Sequence, residues 1–177
     1  MKYLLILISI TAISAFSKKN DPVQMGRIEL FNKQVSIEVP AQFELMDAGR
    51  VAKVYHAEFR PDLAYSNTEK TVRIGFDAES LSSKESGLPV ITARIEKILH
   101  KIRPKAKWKN EGIEIIGGHK VGFIEYLNKK PEKFFELVFF TSLKGQLLSC
   151  QFRAPKKKHK QWKTIAYQIM RSLTIKK

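Results

Sequence analysis

The densest group of side chains that could bind a ligand is a basic run close to the carboxyl end of the chain. Its members are Lys156, Lys157, Lys158, His159, Lys160 and Lys163. The run stands at the amino end of a predicted helix, where each cation opposes the helix dipole by about 0.3–1 kcal/mol. Exposed helix amides and ammonium groups together attract anions. The pattern predicts an anion-binding or partner-binding site; the alternative is a solvated charge run that salt screens and no partner uses.

A second basic tract follows another predicted helix. It contains Lys97, Lys101, Arg103, Lys105, Lys107 and Lys109. Lys101, Arg103 and Lys105 are the candidate partner-binding residues of this tract. Trp108 lies within it and could stack on a ligand, although a tryptophan in a strand more often belongs to a core.

Residue types that serve catalysis or metal binding are present without the spacing that those functions need. His56, His100, His119 and His159 form no HxH, HExxH or Cys–His pattern. The chain has no G-x-S-x-G elbow and no glycine-rich phosphate loop. Its one cysteine, Cys150, lies in an apolar stretch and is expected to be a small buried hydrophobic residue. We therefore expect no enzymatic activity, no cofactor and no metal site.

Residues 1–17 have the layout of a secretory signal peptide. Lys2 precedes an uncharged run at 3–16, and the small residues Ala15 and Ser17 flank the last position of that run. This pattern predicts cleavage after Ser17. The run is shorter than the roughly 20 residues that a helix needs to cross a bilayer, so no transmembrane span is expected after cleavage. The predicted location is outside the cytoplasm, periplasmic or secreted.

The charge balance indicates the kind of partner. Lys and Arg number 32 and Asp and Glu 17, which gives a formal net charge of +15. A basic surface speeds encounters with anionic partners without choosing among them. Because export separates the protein from nucleic acid, the expected partner is an acidic protein or an anionic envelope component.

The remaining chain has the size of one domain, preceded by a short leader. Residues 18–26 are polar and predict a flexible leader, and residues 27–177 predict a single domain. Alternating apolar residues predict a hairpin of strands at 27–31 and 34–39. The next segments predict a short helical turn at 42–48, an extended segment at 51–59, a loop at 61–69 and a strand at 71–77.

In the second half of the domain, the sequence predicts a helix, a meander of strands and a final helix. Residues 80–88 predict a linker, and apolar positions at intervals of three and four predict a helix at 89–102. Four strands follow at 108–116, 119–127, 133–142 and 146–152, joined by short turns that imply antiparallel pairing. The apolar run at 134–140 requires cover on both faces of the sheet. The predicted fold class is α+β, an antiparallel β-sheet flanked by α-helices in an α/β/α sandwich.

Several short motifs occur in a familiar order. They are the strand Val35 to Pro40 with Phe43, the turn Ile115-Ile116-Gly117-Gly118, and the ending Trp162, Ile165, Ile169, Ser172-Leu173. With the strands between them, they resemble the Mog1/PsbP-like superfamily, especially its small exported bacterial members. The resemblance implies an antiparallel sheet between helices and a non-catalytic binding module. It carries over no site residue, because members of the superfamily share a fold rather than a site motif.

These observations favour an exported, non-catalytic binding protein whose basic surface docks an acidic protein or an envelope polyanion. A periplasmic immunity protein that neutralises a secreted toxin is one alternative. A peripheral, membrane-associated envelope protein is another, and lysine-driven adsorption of that kind should be reversed by salt.

Overall fold

The computed structural model describes residues 22–82 and 87–176. The predicted signal peptide at 1–17, the leader as far as residue 21 and the middle of the linker predicted at 80–88 lie outside the described residues. The first strand begins at Met25, two residues before the start of the predicted domain at residue 27.

Seven antiparallel strands form the main sheet. In chain order the strands of the molecule are β1 (Met25–Leu30), β2 (Val35–Pro40), β3 (Glu44–Leu45), β4 (Leu63–Ser66), β5 (Arg73–Ser82), β6 (Lys107–Ile116), β7 (His119–Leu127), β8 (Phe134–Leu143), β9 (Gln146–Pro155) and β10 (Thr174–Ile175). The main sheet has the order β3-β4-β5-β9-β8-β7-β6, and a smaller sheet has the order β1-β2-β10. The predicted hairpin and the four predicted strands of the meander are confirmed.

Within the described residues, three α-helices accompany the sheets: α1 (Ala48–Val54), α2 (Leu88–Ile102) and α3 (His159–Arg171). Short 3-10 turns lie at Ala57–Phe59 and Lys156–Lys158. α2 begins with Pro89 in its first turn, where the missing N–H costs nothing. Both long helices predicted from apolar spacing are therefore present.

α3 covers one face of the main sheet, which we call the α3 face. The apolar side of α3, with Trp162, Ile165 and Ile169, packs against inward-facing residues of β5, β8 and β9 such as Phe76, Leu137 and Phe152. Strand β2 joins the same core through its alternate residues Val35, Ile37 and Val39, which are the ones predicted to face inwards. The small sheet and α3 thus share one hydrophobic core with the main sheet.

The opposite face, which we call the α2 face, is covered unevenly. α2 packs over β7 and β8 through Leu88 and Leu99. At the other side of the sheet, α1 packs on Ala64 of β4 through Val51. Between these two helices, β5 and β9 turn small or polar residues towards the α2 face. Helices thus flank an antiparallel sheet, which confirms the predicted fold class.

The segment at 51–59, predicted as extended, is helical. Asp47 starts α1 because its carboxylate Oδ1 accepts a hydrogen bond from the backbone N–H of Arg50 at 2.9 Å. Met46, Val51 and Tyr55 then form a buried cluster with Ala64. The cap and this tertiary packing outweigh the β-branched residues that suggested a strand.

Two neighbouring predictions were also wrong. The helical turn predicted at 42–48 is replaced by the short strand β3, which pairs with β4. The loop predicted at 61–69 contains β4 itself, which pairs with β5 along its full length. Short edge strands carry too few residues for alternation to reveal them, so only their pairing identifies them.

Candidate functional site

The sheet register collects basic residues from distant parts of the chain at one end of the molecule. At this end β5 begins at Arg73, opposite Arg153 of β9, while β8 begins at Phe134, opposite Pro155. β6 also begins here and β7 ends here, since Lys107 pairs with Leu127. The cations at or beside these strand ends are Lys70, Lys101, Arg103, Lys105, Lys107, Lys129, Lys130, Lys133, Lys156, Lys157, Lys158 and Lys160. We call this surface the basic end.

Both predicted tracts belong to the basic end and approach it from opposite faces of the sheet. The Arg103 guanidinium lies over the Phe134 ring on the α2 face, 5.8 Å from its centroid. Lys156 follows Pro155 and donates its backbone N–H to the carbonyl of Lys133 at 3.2 Å. The register that pairs Phe134 with Pro155 therefore holds the two tracts next to each other.

Carboxylates are sparse among these cations. Glu44, Glu69 and Glu132 lie at the same end. Glu69 is 4.0 Å from the ammonium of Lys158, and Glu132 is 3.8 Å from the guanidinium of Arg153. Both acids are largely exposed, so these contacts contribute little to stability.

The predicted run at 156–163 divides into two parts with different surroundings. Lys156, Lys157 and Lys158 form the 3-10 turn before α3. His159 follows, with its Nδ1 3.1 Å from the Lys156 carbonyl oxygen. Lys157, Lys158 and Lys160 are exposed to solvent.

Lys163 instead neutralises a buried carboxylate on the α3 face. Its ammonium lies 2.8 and 3.0 Å from the two oxygens of Glu125, a residue that is 2% exposed. The Tyr167 hydroxyl donates to the same carboxylate at 2.9 Å. Burial, with this carboxylate as a further cause, raises the pKa of Tyr167, so the phenol stays protonated. The Glu125–Lys163 pair is a structural contact between sheet and helix.

A cleft that sequence analysis missed opens on the α2 face. It lies between α2, the segment from α1 to Pro61, and the uncovered part of β5 and β9, with a volume of about 590 Å³. Its floor carries Gly75 and Asp77 of β5 and Ser149 and Gln151 of β9. Because these residues alternate with the buried apolar residues of the α3 face, the alternation in both strands was the available signal. Arg103 is the one predicted site residue that lines the cleft.

A row of side chains crosses the sheet at the end of the cleft. Trp108, Tyr126, Glu136, Arg153 and Arg73 are successive partners in the register from β6 to β5. The Glu136 carboxylate is fully buried and accepts from the Tyr126 hydroxyl at 2.6 Å. It also accepts from Arg153 at 3.1 and 3.3 Å. We call these five residues the polar row.

The charges of the polar row are fixed rather than mobile. Burial and the neighbouring Glu136 carboxylate raise the pKa of Tyr126, which keeps the phenol protonated. Burial opposes the charged form of Arg153, but Glu136 outweighs it and the pKa of Arg153 is raised. Groups held this firmly in one protonation state at neutral pH are suited to structure and recognition, and poorly suited to general acid–base catalysis.

Arg73, at the far end of the row, has a different environment. It lines a second cavity of about 480 Å³ that adjoins the cleft and shares Tyr55, His56 and Arg60 with it. Arg73 donates to the Val54 carbonyl at 3.4 Å and lies over the Tyr55 ring, 5.1 Å from the centroid. Burial and the charge of Arg153 lower the pKa of Arg73. Its positive charge is therefore poorly compensated.

Within 22–82 and 87–176, no three residues among His, Cys, Asp and Glu are grouped so as to hold a metal ion. None of the helices in these ranges has the length and apolar character required to cross a membrane.

Comparison by sequence finds no family model that matches the chain and no curated protein that matches it. Comparison of structures finds several similar folds. The solution structure of cyanobacterial PsbP from Synechocystis sp. PCC 6803 aligns with a TM-score of 0.64 at 11% identity, over 89% of this chain and 96% of that one. The chain has the Mog1/PsbP-like fold. The resemblance seen in the sequence is confirmed as to fold.

Two further structures agree with a Mog1/PsbP-like fold. LpqN of Mycobacterium tuberculosis, described as involved in cell envelope biogenesis, has a TM-score of 0.52 at 10% identity, over 87% of this chain and 91% of that one. PA94 of Pseudomonas aeruginosa, a protein of unknown function described as a putative regulator, has a TM-score of 0.52 at 13% identity, over 86% of this chain and 98% of that one. At such identities the likeness concerns the fold and no site residue.

Proposed function

We propose that this chain is an exported, non-catalytic binding protein whose basic end docks an acidic protein or an anionic envelope polyanion. The observation that carries the proposal is the collection of exposed lysines and arginines from several strand ends and two helix ends on one surface. Like charges so placed repel one another, and an anionic partner relieves that repulsion. The fold shared with LpqN, a protein of envelope biogenesis, supports an envelope role.

The non-catalytic part of the proposal rests on the polar row. The pKa values of its Tyr126 and Arg153 are shifted away from neutrality, so neither of these two groups exchanges a proton near pH 7. The exposed lysines, in contrast, are flexible point charges that suit electrostatic recognition of a polyanion.

A matched pair of charge-reversal variants tests the docking surface. Lys157→Glu/Lys160→Glu alters the basic end, and Lys120→Glu/Lys144→Glu makes the same change of net charge at the opposite end of the sheet. Each lysine near an anionic surface contributes about 1 kcal/mol, so the first variant should bind at least about tenfold more weakly. The probes are immobilised heparin and polyglutamate, each measured at two salt concentrations.

If the basic end is the docking surface, the first variant should lose more affinity for heparin and polyglutamate than the second. The glutamates introduced at positions 157 and 160 lie near the amino end of α3, where acidic side chains stabilise a helix. The first variant should therefore remain folded. Equal loss of binding by both variants would show that net charge alone attracts the probes and would contradict the proposal. Stronger loss on vesicles of phosphatidylglycerol than on either soluble probe would favour the membrane-associated alternative.

A further inference from the structure

Several apolar side chains that line the cleft on the α2 face are exposed to solvent. Phe59, Ile98 and Ile102 all line it, and all three are exposed to solvent. Ile98 alone is 46% exposed, although it belongs to the helix face that carries Leu99. Partly buried Ile91 and Ile95 continue the same wall along α2. Apolar side chains gathered around a concavity are typical of a ligand site.

The opposite end of the cleft is cationic. Arg60 lines both the cleft and the adjoining cavity, and Arg73 lines the adjoining cavity. Arg153 is engaged by Glu136, whereas Arg73 forms no ion pair with any described residue. Glu132 also borders both cavities but lies beside Arg153. Arg73, which is partly buried, therefore has no ion-pair partner among the described residues in the cavity that adjoins the cleft.

Two buried donors at this junction also lack partners. Among the described residues, neither the Tyr55 hydroxyl nor the Arg73 Nε has a hydrogen-bond acceptor. Tyr55 is 7% exposed, and burial raises its pKa, so the hydroxyl keeps its proton. An unpaired buried donor costs about 1–3 kcal/mol. The Tyr55 hydroxyl and the Arg73 Nε complement an oxyanion, which accepts hydrogen bonds and places a negative charge beside the Arg73 guanidinium.

We propose that the cleft binds a small apolar carboxylate, with its hydrocarbon body against Ile98, Ile102 and Phe59 and its carboxylate at the junction formed by Tyr55, Arg60 and Arg73. A volume of about 590 Å³ lies within the range of small-molecule sites. The charge complement excludes a purely apolar occupant, because that ligand would leave Arg73 unpaired. The junction lies at Arg73, where β5 begins at the basic end. The residues assigned to the ligand differ from the lysines that are exchanged in the docking test, so the two proposals can fail separately.

The first experiment measures how much the apolar wall contributes to the affinity for decanoate. Binding is measured by calorimetric titration, with decanoate kept below its aggregation concentration. Ile98→Asp places a charge in the wall and should weaken decanoate binding at least about tenfold, because the hydrocarbon chain of the ligand would have to cover an unpaired carboxylate. Val90→Asp is the matched control: Val90 lies on the same helix, is 74% exposed and does not line the cleft. Both substitutions fall on exposed positions, so both variants should fold.

The second experiment measures how much the carboxylate contributes to affinity. It compares decanoate with 1-decanol, which has the same hydrocarbon chain length and no charge. Decanoate should bind the unmodified protein about 10- to 100-fold more tightly than decanol, as charged hydrogen bonds of about 1.5–3 kcal/mol predict. Arg60→Gln, at an exposed position, and Arg73→Gln should each reduce that preference and leave decanol affinity unchanged.

Three results would overturn the proposal: no binding of decanoate at millimolar concentration, equal effects of Ile98→Asp and Val90→Asp, or equal affinity for decanoate and decanol. If Arg73→Gln fails to fold, the exposed Arg60, Ile98 and Val90 variants still decide the question.

Discussion

At the scale of single residues, Glu136 determines how much positive charge the α2 face can bury. Its carboxylate is inaccessible to solvent and engages Tyr126 and Arg153, while Arg73 stands one register position further along. The carboxylate thus supports one arginine directly and moderates the potential at a second. Removing it would leave two adjacent cations in a poorly solvated place.

We expect Glu136→Gln to lower the free energy of unfolding by about 3–5 kcal/mol, the usual result of removing one partner from a buried ion pair. The matched control is Glu114→Gln, which breaks an exposed pair with Arg171 whose closest atoms are 2.9 Å apart. That change should cost less than about 1 kcal/mol. Urea unfolding followed by circular dichroism measures both, and similar losses in the two variants would contradict the role given to Glu136.

Most residues of the polar row could not be recognised from the sequence. Glu136 looks like an isolated charge inside an apolar strand, because its partners lie 10 and 17 positions away and are brought close by sheet register. The lysine runs were visible because charge clustering is a local property of the sequence. Lys163 shows the limit of that reading, since only the register of α3 on the sheet pairs it with Glu125.

At the scale of the elements, the position of α2 depends on a glycine in the strand beneath it. A Cβ on Gly122 of β7 would lie 2.8 Å from the Thr92 Oγ1 of α2 and would also clash with the Phe140 ring. The Phe140 ring and the Thr92 hydroxyl occupy the space above Gly122. The wall of the cleft is therefore set by how closely α2 approaches β7.

Gly122→Ala should reduce the free energy of unfolding by about 1–3 kcal/mol, the usual cost of overpacking a core. Gly112→Ala on the neighbouring β6 is the control, because its Cβ would meet the Phe123 ring at an ordinary 3.4 Å. Alanine there should be neutral or slightly stabilising, since it reduces the conformational freedom of the unfolded chain. Thermal unfolding compares the two, and an unchanged melting temperature for Gly122→Ala would show that α2 shifts at no cost.

Elements with strong periodicity were predictable, and those defined by a few tertiary contacts were not. The meander from β6 to β9 and the helices α2 and α3 have enough residues for their apolar periods to be clear. α1 and β4 are short and are specified by one cap and one small cluster. The wrong predictions at 51–59 and 61–69 also hid the cleft, because those segments form one of its walls.

At the scale of the whole molecule, β9 is the strand around which the main sheet is built. It pairs with β5 on one side and β8 on the other. Cys150 lies in this strand, faces α3 and is 1% exposed, which confirms that it is a buried hydrophobic residue. Burial raises the pKa of the Cys150 thiol well above its ordinary value, so almost no thiolate forms near neutral pH.

Thiol–disulfide exchange at Cys150 should therefore report global unfolding. We expect a thiol reagent such as 5,5′-dithiobis(2-nitrobenzoate) to react at a rate proportional to the unfolded fraction, so that the rate rises with urea along the same curve as circular dichroism. A rate that is fast in native buffer and insensitive to urea would mean that β9 opens locally. Glu136→Gln should accelerate the reaction by the factor that corresponds to its loss of stability.

The small sheet joins the beginning and the end of the described chain. Strand β2 pairs with β1 on one side and β10 on the other, and the Glu38 backbone N–H donates to the Ser172 hydroxyl at 2.8 Å. α3, which closes the larger core, is completed only at Arg171. Neither the core nor the small sheet can assemble on the ribosome before residues 159–175 have emerged. The segments that are synthesised last therefore complete the packing of both sheets.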